Sequence, residues 1–207
     1  GCEFLELPPP KDLDEALDGL LILYSHVPSI TTFPVYIGRL DMLLDPFITD
    51  EEQDYIKIKR FLNHVDKTVP DSFCHANIGP YDTKAGRLIL KAVIELEAPT
   101  PNMTIRYDKS KTSREFAELA AKACLLVSKP SFANDAYYIS DLGEQYGIAS
   151  CYNALPECGG AYTLTRLRLG TIARACKTVD EMVNELLPRV AKCALSTMDK
   201  RHKFVVE

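Results

Sequence analysis

Cys151 is the residue whose type and setting most invite chemistry. The run Gly147-Ile148-Ala149-Ser150-Cys151 is apolar up to the thiol, and Tyr152-Asn153-Ala154-Leu155-Pro156 follows as a polar stretch stopped by proline. The pattern predicts a short strand over Gly147 to Ala149 whose carboxyl end presents Cys151 at the rim of an α/β sheet or barrel. Open α/β folds place reactive groups there. The competing reading is a buried structural thiol, since free cysteine is among the most buried residue types.

Other polar candidates are scattered. His75 and Asn77 share one face of a predicted strand at a spacing of two, which aims both into a pocket or satisfies both at a strand end. Arg106, on a second predicted strand, is either an anion-binding side chain or half of a strand-face ion pair. Asn102 and Asn134 stand where turns and ligand contacts compete.

The seven cysteines are odd in number, widely spaced and without CxxC, which fits neither a disulfide framework nor a zinc site. Cys74, Cys124, Cys176 and Cys193 read as core thiols. Cys158 precedes Gly159-Gly160 and has no fixed role. A reducing cytoplasm is the simplest location. The net charge of −5 argues against nucleic acid, whose phosphates require clustered cations. No run of 18 apolar residues points to a membrane.

The elements that must hold these residues alternate. Asp12 with Glu15 signals a helix start, and Leu13, Leu17, Leu20, Leu21 and Tyr24 give helical spacing to about His26. A strand in 30–37 must begin late because of Pro34. Thr49 or Asp50 caps a helix burying Tyr55, Ile58, Phe61, Leu62 and Val65. A strand at Phe73–Ile78, a helix at Thr83–Glu97 and a strand at Met103–Tyr107 follow. Thr112 with Glu115 opens another helix. Phe132 to Asp135 reads as loop, and Ile139 to Gln145 as a short helix or turn. Ala161 to Leu169 leans to β. The longest helix spans about Val179 to Lys203, with a kink expected at Pro188. Linkers are too long for hairpins, so the alternation predicts α/β architecture with parallel strands and crossover helices, over 1–207 as a single α/β unit.

Several strings together resemble the glycyl radical enzymes, the superfamily of formate acetyltransferase and anaerobic ribonucleotide reductase. They are Gly38-Arg39-Leu40-Asp41, Pro101-Asn102-Met103-Thr104-Ile105-Arg106, Pro130-Ser131-Phe132-Ala133-Asn134-Asp135 and Gly147 to Cys151. Tyr24 to Ser29, His75 to Pro80 and Tyr146 to Pro156 are most similar to the YjjI family of that superfamily. The resemblance implies half of a ten-stranded α/β barrel with Cys151 on an internal finger loop. It also implies that Cys151 is the thiyl-radical residue of a transferase or lyase in anaerobic metabolism, with Arg106, His75, Asn77, Asn102 and Asn134 facing a small polar metabolite. No bound cofactor is implied beyond a glycyl radical, installed by an S-adenosylmethionine/iron–sulfur activase as protein partner. Such enzymes commonly form homodimers.

The departures bear on mechanism. No Arg-Val-x-Gly-Tyr-like radical loop is visible; Arg168-Leu169-Gly170-Thr171 is the nearest and fits poorly. The chain therefore reads as an internal fragment that would not turn over alone. Asn153 stands where the family often has Glu, and Ser150 precedes the cysteine. Two alternatives stay open: a cysteine-nucleophile hydrolase or transferase using Cys151 with His75, which would need a lowered thiol pKa, and a non-catalytic binding or scaffold domain.

Overall fold

The computed structural model describes residues 6–31, 35–68, 74–98, 100–149, 153–156, 165 and 167–206. Cys151, Cys2, Cys158 and most of the β-leaning run 161–169 lie outside them. The chain divides into two compact units, Gly1–Glu157 and Cys158–Glu207.

The first unit carries every described strand. β1 (Val35–Arg39), β2 (Cys74–Ile78), β3 (Asn102–Tyr107) and β4 (Ser131–Asn134) form a parallel sheet in sequence order. The crossovers are helical: α2 (Leu40–Leu44) and α3 (Glu51–Thr68) lead to β2, α4 (Lys84–Leu96) to β3 and α5 (Arg114–Val127) to β4. β1 is described from Val35; Pro34, expected to delay the strand, lies outside the described residues.

Alternation sorts the sheet into two faces. Cys74, Ala76, Ile78, Met103 and Ile105 join one core with α1 (Leu13–Thr31) and α3 to α5, through Tyr24, Ile58, Leu62, Ile89 and Phe116. The opposite face carries Tyr36, His75, Asn77, Asn102, Thr104 and Arg106, related by the strand register. β2 is buried on both faces, as a central parallel strand should be.

The ends of the helices obey local chemistry. Asp12 Oδ1 accepts from Glu15 N at 2.9 Å, and α1 continues beyond His26. Asp50, rather than Thr49, caps α3, accepting from Glu52 N and Gln53 N. For α5 the cap is Ser113, which accepts from Phe116 N at 3.1 Å. Thr112, expected in that role, instead accepts from Asp108 N and closes the turn before it.

Asp41, at the start of α2, is wholly buried. It accepts from Met42 N, from Gly79 N at 2.8 Å and from the Thr83 hydroxyl at 3.3 Å, tying the end of β1 to the turn after β2. Burial outweighs those bonds and raises its pKa to about 6. Gly79 has φ +75°, and a Cβ there would stand 3.1 Å from the Arg106 carbonyl oxygen.

Three expectations are corrected. Phe132 to Asp135 is not loop: Ser131–Asn134 is β4, and Asp135 opens α6 (Asp135–Leu142). A hairpin exists: β5 (Gly147–Ala149) pairs antiparallel with β6 (Asn153–Leu155). At Pro188 the helix is expanded rather than simply kinked. Glu181–Leu186 is π-wound, with Leu187 N donating to Met182 O, and α8 (Leu187–Val206) follows. Proline has no N–H for the carbonyl four residues earlier, so the ladder changes just before it. The second unit is thus α7 (Leu169–Arg174), this π segment and α8.

Candidate functional site

The site is built where the β5–β6 hairpin meets the polar face of the sheet. Ala149 and Asn153 are cross-strand partners, and Ser150, Cys151 and Tyr152 are the three residues between them in sequence. Those three lie outside the described residues; what can be described is how their flanks are held.

Asn77 does most of the holding. Its Nδ2 donates to Ile148 O at 2.9 Å, and its Oδ1 accepts from Ile148 N at 2.9 Å. A side-chain amide thereby pairs with both backbone groups of one residue, as a neighbouring strand would. The Tyr36 hydroxyl donates to the same Oδ1 at 3.0 Å. Burial raises the Tyr36 pKa, against the lowering fields of Arg106 and Arg39, so the phenol keeps its proton for that bond. The Tyr36 ring packs against Gly147, where a Cβ would overlap ring carbons and the hydroxyl.

Arg106 holds the chain leading into β5. It is 3% exposed and pairs with the fully buried Asp135 through Nε at 2.7 Å. Its Nη1 donates to Tyr146 O at 3.3 Å and its Nη2 to Glu144 O at 3.1 Å. The guanidinium carbon lies 4.1 Å from the centre of the Tyr146 ring. The Tyr146 hydroxyl donates to Asp135 Oδ1 at 2.9 Å, and burial followed by that carboxylate raises the Tyr146 pKa. Asp135 Oδ2 accepts no hydrogen bond among the described residues and faces Lys111 Nζ at 3.6 Å. Backbone groups of residues 144, 146 and 148 are therefore gripped in succession by β3 and β2. Beneath them Ala133, Tyr146 and Ile148 form a small apolar cluster with Tyr138, Ile139, Leu142 and Ala154.

The remaining candidates separate. His75 and Asn102 are register neighbours at the amino-terminal end of the polar face. His75 is buried, and its carbonyl accepts from the Tyr24 hydroxyl at 3.0 Å. Asn134 lies apart at the other end of the sheet and caps α6, accepting from Tyr137 N at 3.2 Å. Beside β4 and Ile148 lies a cavity of about 320 Å³ whose walls include Thr104, Ser131, Asn134, Tyr137 and Tyr138. No three His, Cys, Asp or Glu side chains among the described residues converge to hold a metal ion, and no helix among them is long and apolar enough to cross a membrane.

Tyr36, Asp135, Tyr146 and Gly147 were not singled out as functional positions in the sequence. The one local signal was Gly147, an unforced glycine inside a strand pattern, which often marks close approach of another group.

Comparison with known proteins places the chain in a family. A protein of Haemophilus influenzae (strain ATCC 51907 / DSM 11121 / KW20 / Rd) is 94% identical over all 207 residues, which cover 40% of its length. The Escherichia coli (strain K12) protein YjjI is 43% identical over 210 residues, covering the whole chain and 41% of that protein. The chain thus spans about 40% of the length of the curated relatives it matches. No solved structure matches. The family description "Glycyl radical enzyme YjjI-like" matches residues 1–207, and the chain belongs to that family.

Proposed function

We propose that this chain is the cysteine-bearing part of a glycyl radical enzyme, with Cys151 as the residue that becomes a thiyl radical. The observation carrying the proposal is the pairing of Asn77 with both backbone groups of Ile148, three residues ahead of Cys151. An undemanding surface cysteine would not need its approach strand bolted to a buried polar face. Helices on one face of the parallel sheet and a hairpin on the other suit half of an α/β barrel with an internal finger. The apolar cluster under the hairpin suits a neutral thiol, as hydrogen-atom transfer requires.

In this chemistry Cys151 gives its hydrogen atom to a glycyl radical held elsewhere in the protein, and its sulfur then takes a hydrogen atom from a substrate carbon. The S–H bond breaks as a C–H bond forms, and the reverse occurs at the substrate. His75 and Asn102 are the proposed contacts to a small polar metabolite, in a transferase or lyase reaction of the formate acetyltransferase kind; Asn134, expected beside them, caps α6 at the other end of the sheet. Asn77 and Arg106, expected beside them, act on the hairpin. A radical S-adenosylmethionine activase is the proposed partner, a homodimer the proposed assembly and the cytoplasm the proposed location.

The test uses a full-length protein carrying this sequence, activated without oxygen. Electron paramagnetic resonance should show a doublet from the glycyl α-hydrogen. In D2O that doublet should collapse to a singlet, because the exchangeable thiol hydrogen trades with the glycyl position. Cys151→Ala should keep the doublet and abolish the collapse. Collapse at the wild-type rate in Cys151→Ala would overturn the proposal.

A further inference from the structure

The hairpin bearing Cys151 is too small to place a sulfur atom by itself. Its strands are three residues each, and isolated two-stranded ribbons are marginal in water. Hydrogen-atom transfer requires the two atoms in near contact, and a displacement of about 1 Å costs about 100-fold in rate. The reach from Ile148 to Cys151 is at most about 10 Å of extended chain, so where Ile148 is anchored bounds where the thiol can be.

The contacts at residue 148 exclude a slip of register. Asn77 offers one donor and one acceptor, and Ile148 answers with one acceptor and one donor, so neighbouring residues of β5 in the wrong register would leave the amide half paired. The N–H and carbonyl of Ile148 fix which end of the amide is oxygen, and the Tyr36 hydroxyl then donates to that same Oδ1 and buttresses it. Gly147 then admits the Tyr36 ring at a spot where a side chain would overlap it. Ile148 is flanked by the glycine on one side and Ala149 on the other, so the register is set by shape as well as by hydrogen bonding.

We propose that Asn77, Tyr36 and Gly147 form a register clamp that aims Cys151 for hydrogen-atom transfer, acting as positioning residues without touching the substrate. The proposal rests on the thiyl reading of Cys151 given above. It assigns to Asn77 a role in the rate of radical exchange, separate from any role in forming the radical. Arg106 supports the same hairpin further upstream, at residues 144 and 146, through a buried ion pair whose loss would disturb the fold more widely.

The test measures, in the full-length activated protein, the yield of the glycyl doublet, its rate of collapse in D2O and the melting temperature. Asn77→Ala should leave the doublet yield near wild type and slow the collapse about 100-fold. Tyr36→Phe keeps the ring against Gly147 and removes one hydrogen bond, so it should fold even if Asn77→Ala does not, with collapse slowed about tenfold. Ile78→Val, on the helix-facing side of the same strand, should lower the melting temperature without changing the collapse rate. Wild-type collapse in Tyr36→Phe, or equal slowing in Ile78→Val, would overturn the clamp. Persistent collapse in Cys151→Ala would instead overturn the thiyl reading, so the two failures are distinguishable.

Discussion

The guanidinium of Arg106 donates from three nitrogens to Asp135 and to the carbonyls of residues 144 and 146, so substitutions there act first on the fold. Arg106→Met leaves the buried Asp135 with only the more distant Lys111 as cation and should cost about 3–5 kcal/mol by urea denaturation. Arg106→Met combined with Asp135→Asn should recover part of that loss, and a double-mutant cycle measures how much. Asp41 gives a pH signature. Its folded pKa, about 6, lies above the ordinary carboxylate value, so the folded state holds the proton more tightly. Its contribution is present below about pH 4 and fades as pH rises through 6, a swing of roughly 3 kcal/mol. Stability of wild type minus that of Asp41→Asn should therefore decline between pH 4 and 7. A rising difference would contradict the buried, unpaired setting of this carboxyl. At this scale Cys151, His75 and Asn77 were legible as candidates from residue type and strand parity. Tyr36 and Asp135 were not, because their partners lie 41 and 29 residues away in sequence and meet only through the crossovers.

Among the elements, the starts of α1, α3, α4 and α5 were legible to within a residue, whereas α6 begins four residues before the expected Ile139 and the short α2 and α7 were not expected. Ser113 and Thr112 both carry capping hydroxyls, and the chain uses one for the α5 N-terminus and the other for the preceding turn. Ser113→Ala should lower stability by about 1 kcal/mol and fray the first turn of α5, visible as faster amide exchange at Phe116. The missed strand β4 has four residues, ends in Asn134 and runs straight into Asp135, both turn-favouring types. Pairing with β3 overrides that local preference. The hairpin was missed for a related reason: three-residue strands joined through Ser150, Cys151 and Tyr152 lack the Asn-Gly or Asp-Gly signal of a tight turn. In the second unit, the replacement of an expected kink by a π segment shows proline acting on the turn before it.

For the whole molecule, the parallel sheet was legible because helix and strand patterns alternate at crossover spacing. The polar face of β2 was legible from the period-two spacing of His75 and Asn77, but what covers it was not, since the hairpin partner Ile148 lies 71 residues from Asn77. Native-state hydrogen exchange should find the amides of β2 and β3 slowest in the first unit, since both strands are paired on each side and sealed by helices. Amides of β5 and β6 should exchange earlier, except Ile148, whose N–H is held by Asn77. Equal protection along the whole hairpin would mean that the amide of Asn77 contributes little to holding it.

That one asparagine also changes what kind of object the finger can be. A loop docked by a full ladder would need a continuous strand edge alongside it, and that edge would wall off the surface it crossed. Here a lone carboxamide imitates a single rung, holding one residue of β5 on the sheet where a ladder would hold several.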